Sequence, residues 1–278
     1  MHTNNTNGAL ENCYCPGHPY GAIEKRSVFI NQFIKKHPNT IVLDAGDLFS
    51  VTQRPFLDSL IIEAYAMLPY DAILVGDQEL SRTNIKEQLK KLPYPALAGN
   101  LKQMKELGLS DHINLNRGGV NIAIVGTLHP NVFRYYPKEL REKFLLSDPV
   151  SNLKSFVEQY SDSTDLIIAL THEGHDKDIT LSKEVNGINV IIGSHSQSKL
   201  DSGSVNNHSL IVQAGKEGYY IGIVDIVFDD KKNIVSTSAR LVTFTLDMPD
   251  DPFIMELISA LEKKTGHINR NKLKYLKK

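Results

Sequence analysis

Apolar runs rich in β-branched residues alternate with helically spaced segments through roughly the first two hundred residues of this chain. Residues 24–36 carry Val28, Phe29, Phe33 and Ile34 at helical spacing and precede the run 40–43. Residues 56–66 precede 71–75, 81–91 precede 95–98, and 150–160 precede 166–170. The runs are apolar almost throughout, as expected of parallel strands covered on both faces, so the order predicts βαβ units and an α/β fold. After residue 198 the pattern changes to strand-like segments at 209–213, 219–228 and 234–244, with a polar turn at 229–233. These are expected as antiparallel strands of a second sheet, followed by a helix over 250–264.

Composition narrows the function classes. The 31 Lys and Arg residues nearly balance 32 Asp and Glu, for a formal charge of -1, so no global field draws the chain to nucleic acid or an anionic membrane. No apolar run approaches the roughly 18 residues of a membrane span. The chain has two cysteines, Cys13 and Cys15, one residue apart, a spacing that rarely adopts disulfide geometry. Only Met1 precedes the apparent first strand, so a leader is expected to have preceded this sequence.

In parallel α/β sheets, ligands bind outside the carboxyl ends of the strands. Asp44-Ala45-Gly46-Asp47 follows the run at 40–43, Gly76-Asp77-Gln78-Glu79 the run at 71–75, and Asn100 the run at 95–98. Thr171-His172-Glu173-Gly174 and Gly193-Ser194-His195-Ser196-Gln197 end the next two runs. A single Asp after a strand also serves as a turn former or helix cap. Turn chemistry does not call for histidine, however, and carboxylate with imidazole is a ligand set for Mn, Fe or Zn.

In order and spacing these motifs resemble the calcineurin-like metallophosphoesterases, and within them the catalytic domain of the bacterial 5'-nucleotidase group, over roughly residues 2–248. That family has a strand-end D-x-H, then G-D, G-N-H-E, a single His, and G-H-x-H. The resemblance implies a four-layer αββα sandwich with a two-metal site, followed here by a C-terminal helix and basic tail (249–278) and no separate nucleotide-binding domain. It implies that Asp47, Asp77, His172 and His195 hold one divalent ion. The other ion uses D-x-H, the bridging Asp47 and the final His, and Asn5, Asn7 and Gln197 stand in three of those four places. One site is thus expected intact and the other dismantled or rebuilt.

Cys13, Cys15 and His18 lie in the loop that rims the metal centre in that family, and three readings stay open for the thiols: replacement metal ligands, small residues buried in a turn, or a redox pair. The expected activity is metal-dependent hydrolysis of a small-molecule phosphate or related ester, with Asn100 and Gln78 orienting the substrate. The alternative is a non-catalytic metal- or partner-binding protein on the same scaffold. Relatives of this group are often exported, so a periplasmic or cell-surface location is expected.

Overall fold

In the longest parallel strands, successive side chains fall into two different cores. Ile122 and Ile124 pack in one cluster, Ala123 and Val125 in another. Ile168 and Leu170 divide from Ile167 and Ala169 in the same way, and Val190 and Ile192 from Ile191. A period of two with both faces buried means a sheet covered on each side, which is what the continuous apolar runs require.

The computed structural model describes residues 1–15, 20–266 and 272. Along the chain come β1 (His2–Thr3), α1 (Ile23–Lys36), β2 (Leu43–Asp44), α2 (Pro55–Ala66), β3 (Ala72–Leu74), α3 (Asp77–Leu80), α4 (Ile85–Leu89), β4 (Ala96–Leu97) and α5 (Met104–Leu107). Then follow β5 (His112–Arg117), β6 (Val120–Leu128), α6 (Lys138–Lys143), α7 (Pro149–Tyr160), β7 (Leu166–His172), α8 (His175–Glu184) and β8 (Val190–Gly193). The last elements are β9 (Ser204–Asn206), β10 (Ser209–Val212), β11 (Tyr220–Phe228), β12 (Ile234–Thr243) and α9 (Pro252–Thr265).

Two six-stranded sheets result, in the orders β12-β11-β1-β2-β3-β4 and β5-β6-β7-β8-β10-β9. Helices α7 and α8 cover the outer face of the second sheet through Leu153, Phe156 and Leu181. Residues of α1, α2 and α9, among them Ile30, Ile61 and Ile258, join the larger core that also fills the space between the sheets. This is the expected α/β sandwich of two mixed sheets with helices outside. Among the described residues no helix is long and apolar enough to cross a membrane.

Three local readings need correction. Residues 81–91 do not form one helix, since α3 starts at Asp77 and α4 only at Ile85. Strand β10 runs parallel to β8, with Leu210 opposite Val190, and is antiparallel only to β9. Strands β11 and β12 return to the first sheet, where Gly222 pairs antiparallel with His2. Alternation shows which face a residue occupies and not which strand lies beside it, and β1, parallel to β2 on one side, still had an open edge on the other. The β5–β6 hairpin, from His112 to Leu128, was missed altogether. Its edge strand carries Asn114, Asn116 and Arg117 and has no continuous apolar run.

The basic tail lies outside the described residues except Lys272, whose ammonium sits 2.7 Å from Glu11 and 3.2 Å from Glu262.

Candidate metal centre

The loop after β2 is shaped by a buried carboxylate. Asp44 Oδ1 accepts the Gly46 N–H (2.8 Å), and its Oδ2 accepts from the Thr3 hydroxyl (2.5 Å) and the Tyr65 hydroxyl (3.1 Å). The chain then passes through Gly46 at φ +91°, where an added Cβ would meet the Gly76 nitrogen at 2.9 Å, so only glycine fits. Asp47 follows with φ +60° and its side chain buried.

Asp77 opens α3, and Glu79, three residues beyond the Gly76 N-cap, ties the two loops together. Its Oε2 accepts the Gly76 N–H (2.8 Å) and the Asp47 N–H (3.0 Å), and its Oε1 accepts the Phe49 N–H (3.0 Å). This clasp was missed in the sequence, although a Glu at the third helical position after a glycine N-cap is a recognisable capping pattern. Gly76 also leaves the space that the centre needs, since a Cβ there would lie 2.5 Å from Asp47 Oδ1 and 2.8 Å from His172 Cε1.

The second sheet supplies the imidazoles. Register places Leu128 opposite His172 and Thr171 opposite Gly193, so the ends of β7 and β8 reach the same level. His172 is fully buried. Its Nδ1 faces the Ala45 carbonyl (3.2 Å) and Ser194 Oγ (2.5 Å). Since that carbonyl only accepts, the partners assign the proton to Nδ1 and leave Nε2 aimed at Asp77 Oδ1 (2.8 Å) and Asp47 Oδ1 (3.3 Å). His195 Nδ1 lies 3.2 Å from the same Asp77 oxygen, and its ring remains partly exposed.

The structure thus brings together the four residues singled out as ligands. One ligand atom from each of Asp47, Asp77, His172 and His195 lies within 4.8 Å of the others. The donor set of two carboxylate oxygens and two imidazole nitrogens, three of the residues buried, fits a divalent transition metal.

Charge in the cluster is balanced internally. Burial alone would lower the His172 pKa, but the Asp47 carboxylate and the hydrogen bond to Asp77 raise it to about 10. Burial works against the Asp77 carboxylate, yet hydrogen bonds from His172 and His195 hold its pKa below the usual range. Asp47 is pushed well upward by burial, opposed by His172 and reinforced by Asp77 and Glu79.

Tyr136 was also missed. Its hydroxyl donates to Asp77 Oδ2 (2.7 Å), which turns Oδ1 toward the histidines. It lies in a loop before α6, where no local pattern marks it.

Other expected site residues fall elsewhere. Asn100 is occupied structurally: its Nδ2 donates to the carbonyls of Leu128 (2.7 Å) and Ser147 (2.9 Å), and its Oδ1 accepts the Leu128 N–H (2.9 Å). It brackets two loops, with both ends of its amide engaged by backbone groups. Gln78 does lie beside the centre. Its N–H points to Asp47 Oδ1 (3.5 Å), its Nε2 donates to Asn7 Oδ1 (3.2 Å), and its buried Oε1 has no hydrogen-bond partner. Cys13 and Cys15 are joined in a disulfide, contrary to the expectation from their spacing. With the sulfurs bonded to each other, neither is a thiolate able to bind metal. His18 lies outside the described residues.

Ten described non-glycine residues have positive φ, and Asn5, Asn7, Asp47, His195 and Gln197 account for five of them. Such conformations cost free energy and persist where the surrounding structure imposes them. Here they gather on the three loops that build the centre.

This fold, with an Asp/His cluster at the carboxyl ends of parallel strands, is similar to that of solved phosphoesterases. The snake venom 5'-nucleotidase of Naja atra is 24% identical over 305 residues, covering 94% of this chain and 56% of its own length. The structure of a 5'-nucleotidase precursor from Thermus thermophilus superposes with a TM-score of 0.81 at 22% identity, covering 95% of this chain and 58% of the other. The calcineurin-like phosphoesterase YfkN of Bacillus subtilis gives 0.72 at 16% identity, covering 100% and 98%. No family model matches. The chain has the calcineurin-like phosphoesterase fold and is a relative of the 5'-nucleotidases. It spans about half the length of the curated relatives it matches.

Proposed function

We propose that the chain is a metal-dependent phosphoesterase that hydrolyses a small phosphate ester, with nucleotides as the first substrate class to try. The observation that carries this reading is the convergence of Asp47, Asp77, His172 and His195 within 4.8 Å. A divalent ion held by these four, Mn, Zn or Fe by donor chemistry, supplies Lewis-acid activation of water and offsets phosphoryl charge. The protein supplies the preorganisation. Glu79 fixes the two carboxylate loops, Ala45 and Ser194 hold the His172 ring, and Tyr136 aims Asp77. The partly exposed His195 marks the side from which a substrate enters. The buried Gln78 Oε1 has no hydrogen-bond partner beside the centre and is an acceptor that a bound group could engage.

The similarity to 5'-nucleotidases, together with the convergent donor set, favours the hydrolase over a non-catalytic scaffold. We assign residues 1–248 to the phosphoesterase domain, with α9 packed on α1 and α2 as part of the same body. Export to the periplasm or cell surface is supported by the Cys13–Cys15 disulfide, a bond that persists in oxidising compartments. The test is to strip the protein with chelator, restore Mn, Zn or Fe separately, and assay nucleoside monophosphates, other phosphomonoesters, diesters and sulfur esters. Hydrolysis should require metal and fall about 10³-fold or more in His172→Ala. Metal binding without hydrolysis of any ester would favour the non-catalytic alternative.

A further inference from the structure

The phosphoesterase fold implies a second cation beside the first, and the side chains present do not fit it. We infer that Asn5 closes the second position, so that the chain holds one metal ion. This rests on the metal-dependent reading above.

The loop positions that match the family motifs share a left-handed backbone. Asn5, Asn7, Asp47, His195 and Gln197 have φ of +47°, +54°, +60°, +70° and +56°. The ligand chemistry at three of these positions is not retained, and the hydrogen bonds show what has replaced it. Asn5 Nδ2 donates to Asp47 Oδ2 at 2.8 Å, whereas Asp47 Oδ1 is the oxygen beside His172 Nε2. The orientation of this amide is set by backbone groups. The Ala214 N–H can only donate, so Asn4 turns its Oδ1 toward it (2.7 Å) and directs its Nδ2 to the Gly215 carbonyl (2.8 Å) and to Asn5 Oδ1 (2.9 Å). The His195 N–H donates to the same Asn5 oxygen (3.1 Å). With two donors on its oxygen, Asn5 must present N–H to Asp47.

A cation at this position would meet an N–H dipole of the wrong sign and would have to break the bond to its only inherited carboxylate. Reversing the amide would set its N–H groups against two donors, the buried Asn4 amide and the part-buried His195 N–H. Among the described residues, Asn7 and the two cysteines offer no substitute. Asn7 Oδ1 is already engaged by Gln78 Nε2 (3.2 Å), and both cysteine sulfurs are in a disulfide. Among the described residues, the Asp47, Asp77, His172 and His195 group is the one cluster of three or more potential anionic or imidazole ligands.

The test titrates Mn(II) into the full, chelator-stripped chain and reads bound metal by elemental analysis and by electron paramagnetic resonance. The wild type should bind one Mn(II) per chain with the spectrum of an isolated ion. The variant Asn5→Asp/Asn7→His/Gln197→His should bind a second ion at least about tenfold more tightly than wild type and show a coupled pair. Wild-type protein that takes up two ions as a coupled pair overturns the inference while leaving the phosphoesterase reading intact. Binding of none, with Zn(II) and Fe(II) titrated in turn, overturns both. Should the triple variant not fold, the wild-type stoichiometry still decides. A folded triple variant limited to one ion overturns the assignment of the block to these side chains.

Discussion

The two ends of the sandwich are built from the same strands and differ in almost every property. At the carboxyl ends, β2, β3, β7 and β8 deliver Asp47, Asp77, His172 and His195 into a small polar centre lined by strained loops. At the amino ends the space between the sheets opens into a far larger cavity of about 810 Å³, lined by Leu43, Ile122, Ile168, Val190, Ile192 and Ile223 among others. The larger space holds the less chemistry. Its walls are mostly apolar, with buried His2 among the exceptions, whereas the small centre has four convergent ligand groups. Placement of convergent polar groups, rather than volume, identifies the site.

The sharpest separation of the two ends should come from adding one methyl group at the centre. In Gly76→Ala the new Cβ would stand 2.5 Å from Asp47 Oδ1, and the carboxylate would have to move. Displacement of about 1 Å in such a site costs on the order of 10²-fold, so Mn(II) affinity and kcat/KM should fall by about that factor. The backbone at Gly76 has an ordinary φ of -96°, so the strain comes from the crowded neighbours, the Asp47 carboxylate and backbone nitrogen and the His172 ring. Unchanged Mn(II) affinity, measured by titration, would mean that Asp47 is not a ligand.

The contrast also explains what could be read from the sequence. Asp47, Asp77, His172 and His195 were legible because parallel strands put their successors at one end and the resemblance to the metallophosphoesterases singled out these four among them. Asn100 follows a strand in the same way, but its amide was recruited by Leu128 and Ser147, a choice made by tertiary neighbours. Tyr136 could not be read at all, because a loop residue acquires its partner only when the chain folds back on the site. The pairing of β11 with β1 depended likewise on which strand edge remained open after the parallel strands had formed. Side-chain periodicity carries no information about that.

Two buried histidines provide a second, smaller test. His172 lies between carboxylates and has its pKa raised to about 10, whereas His2, on the wall of the cavity, is lowered to about 3 by burial and by the nearby N-terminus. In metal-free protein the His172 contribution to stability is fully present below its ordinary value of 6.5 and is lost as pH rises through about 10. His2 acts in the opposite direction. Below 6.5 the unfolded chain takes up a proton that the native histidine refuses until about 3, so stability declines as pH falls through that window. Each such limb has a limiting slope of about 1.4 kcal/mol per pH unit. Urea unfolding with chelator present, followed from about pH 4 to about pH 10, should therefore show an acid limb flattened in His2→Leu and an alkaline limb flattened in His172→Gln. Limbs that do not respond to these substitutions would show that other groups control them.

The smallest expected effect comes from the counterpart of the glycine experiment, a single carbon added at the apolar end. Val190 lies on β8 only a few residues before His195, is 1% exposed, and lines the cavity between the sheets. In Val190→Ile the extra methylene has open space to enter, and burying one such group contributes about 0.8 kcal/mol. Overpacking in a filled core would instead destabilise by about 1–3 kcal/mol, so the sign of the change in unfolding free energy reports whether the cavity is spare room. Mn(II) affinity and kcat/KM should be unchanged, because the addition points between the sheets and the ligand loops are fixed independently by Glu79, Asp44 and Ser194. A stable variant with weakened metal binding would show that β8 transmits displacement along its length, and the two ends would then have to be treated as one mechanical unit.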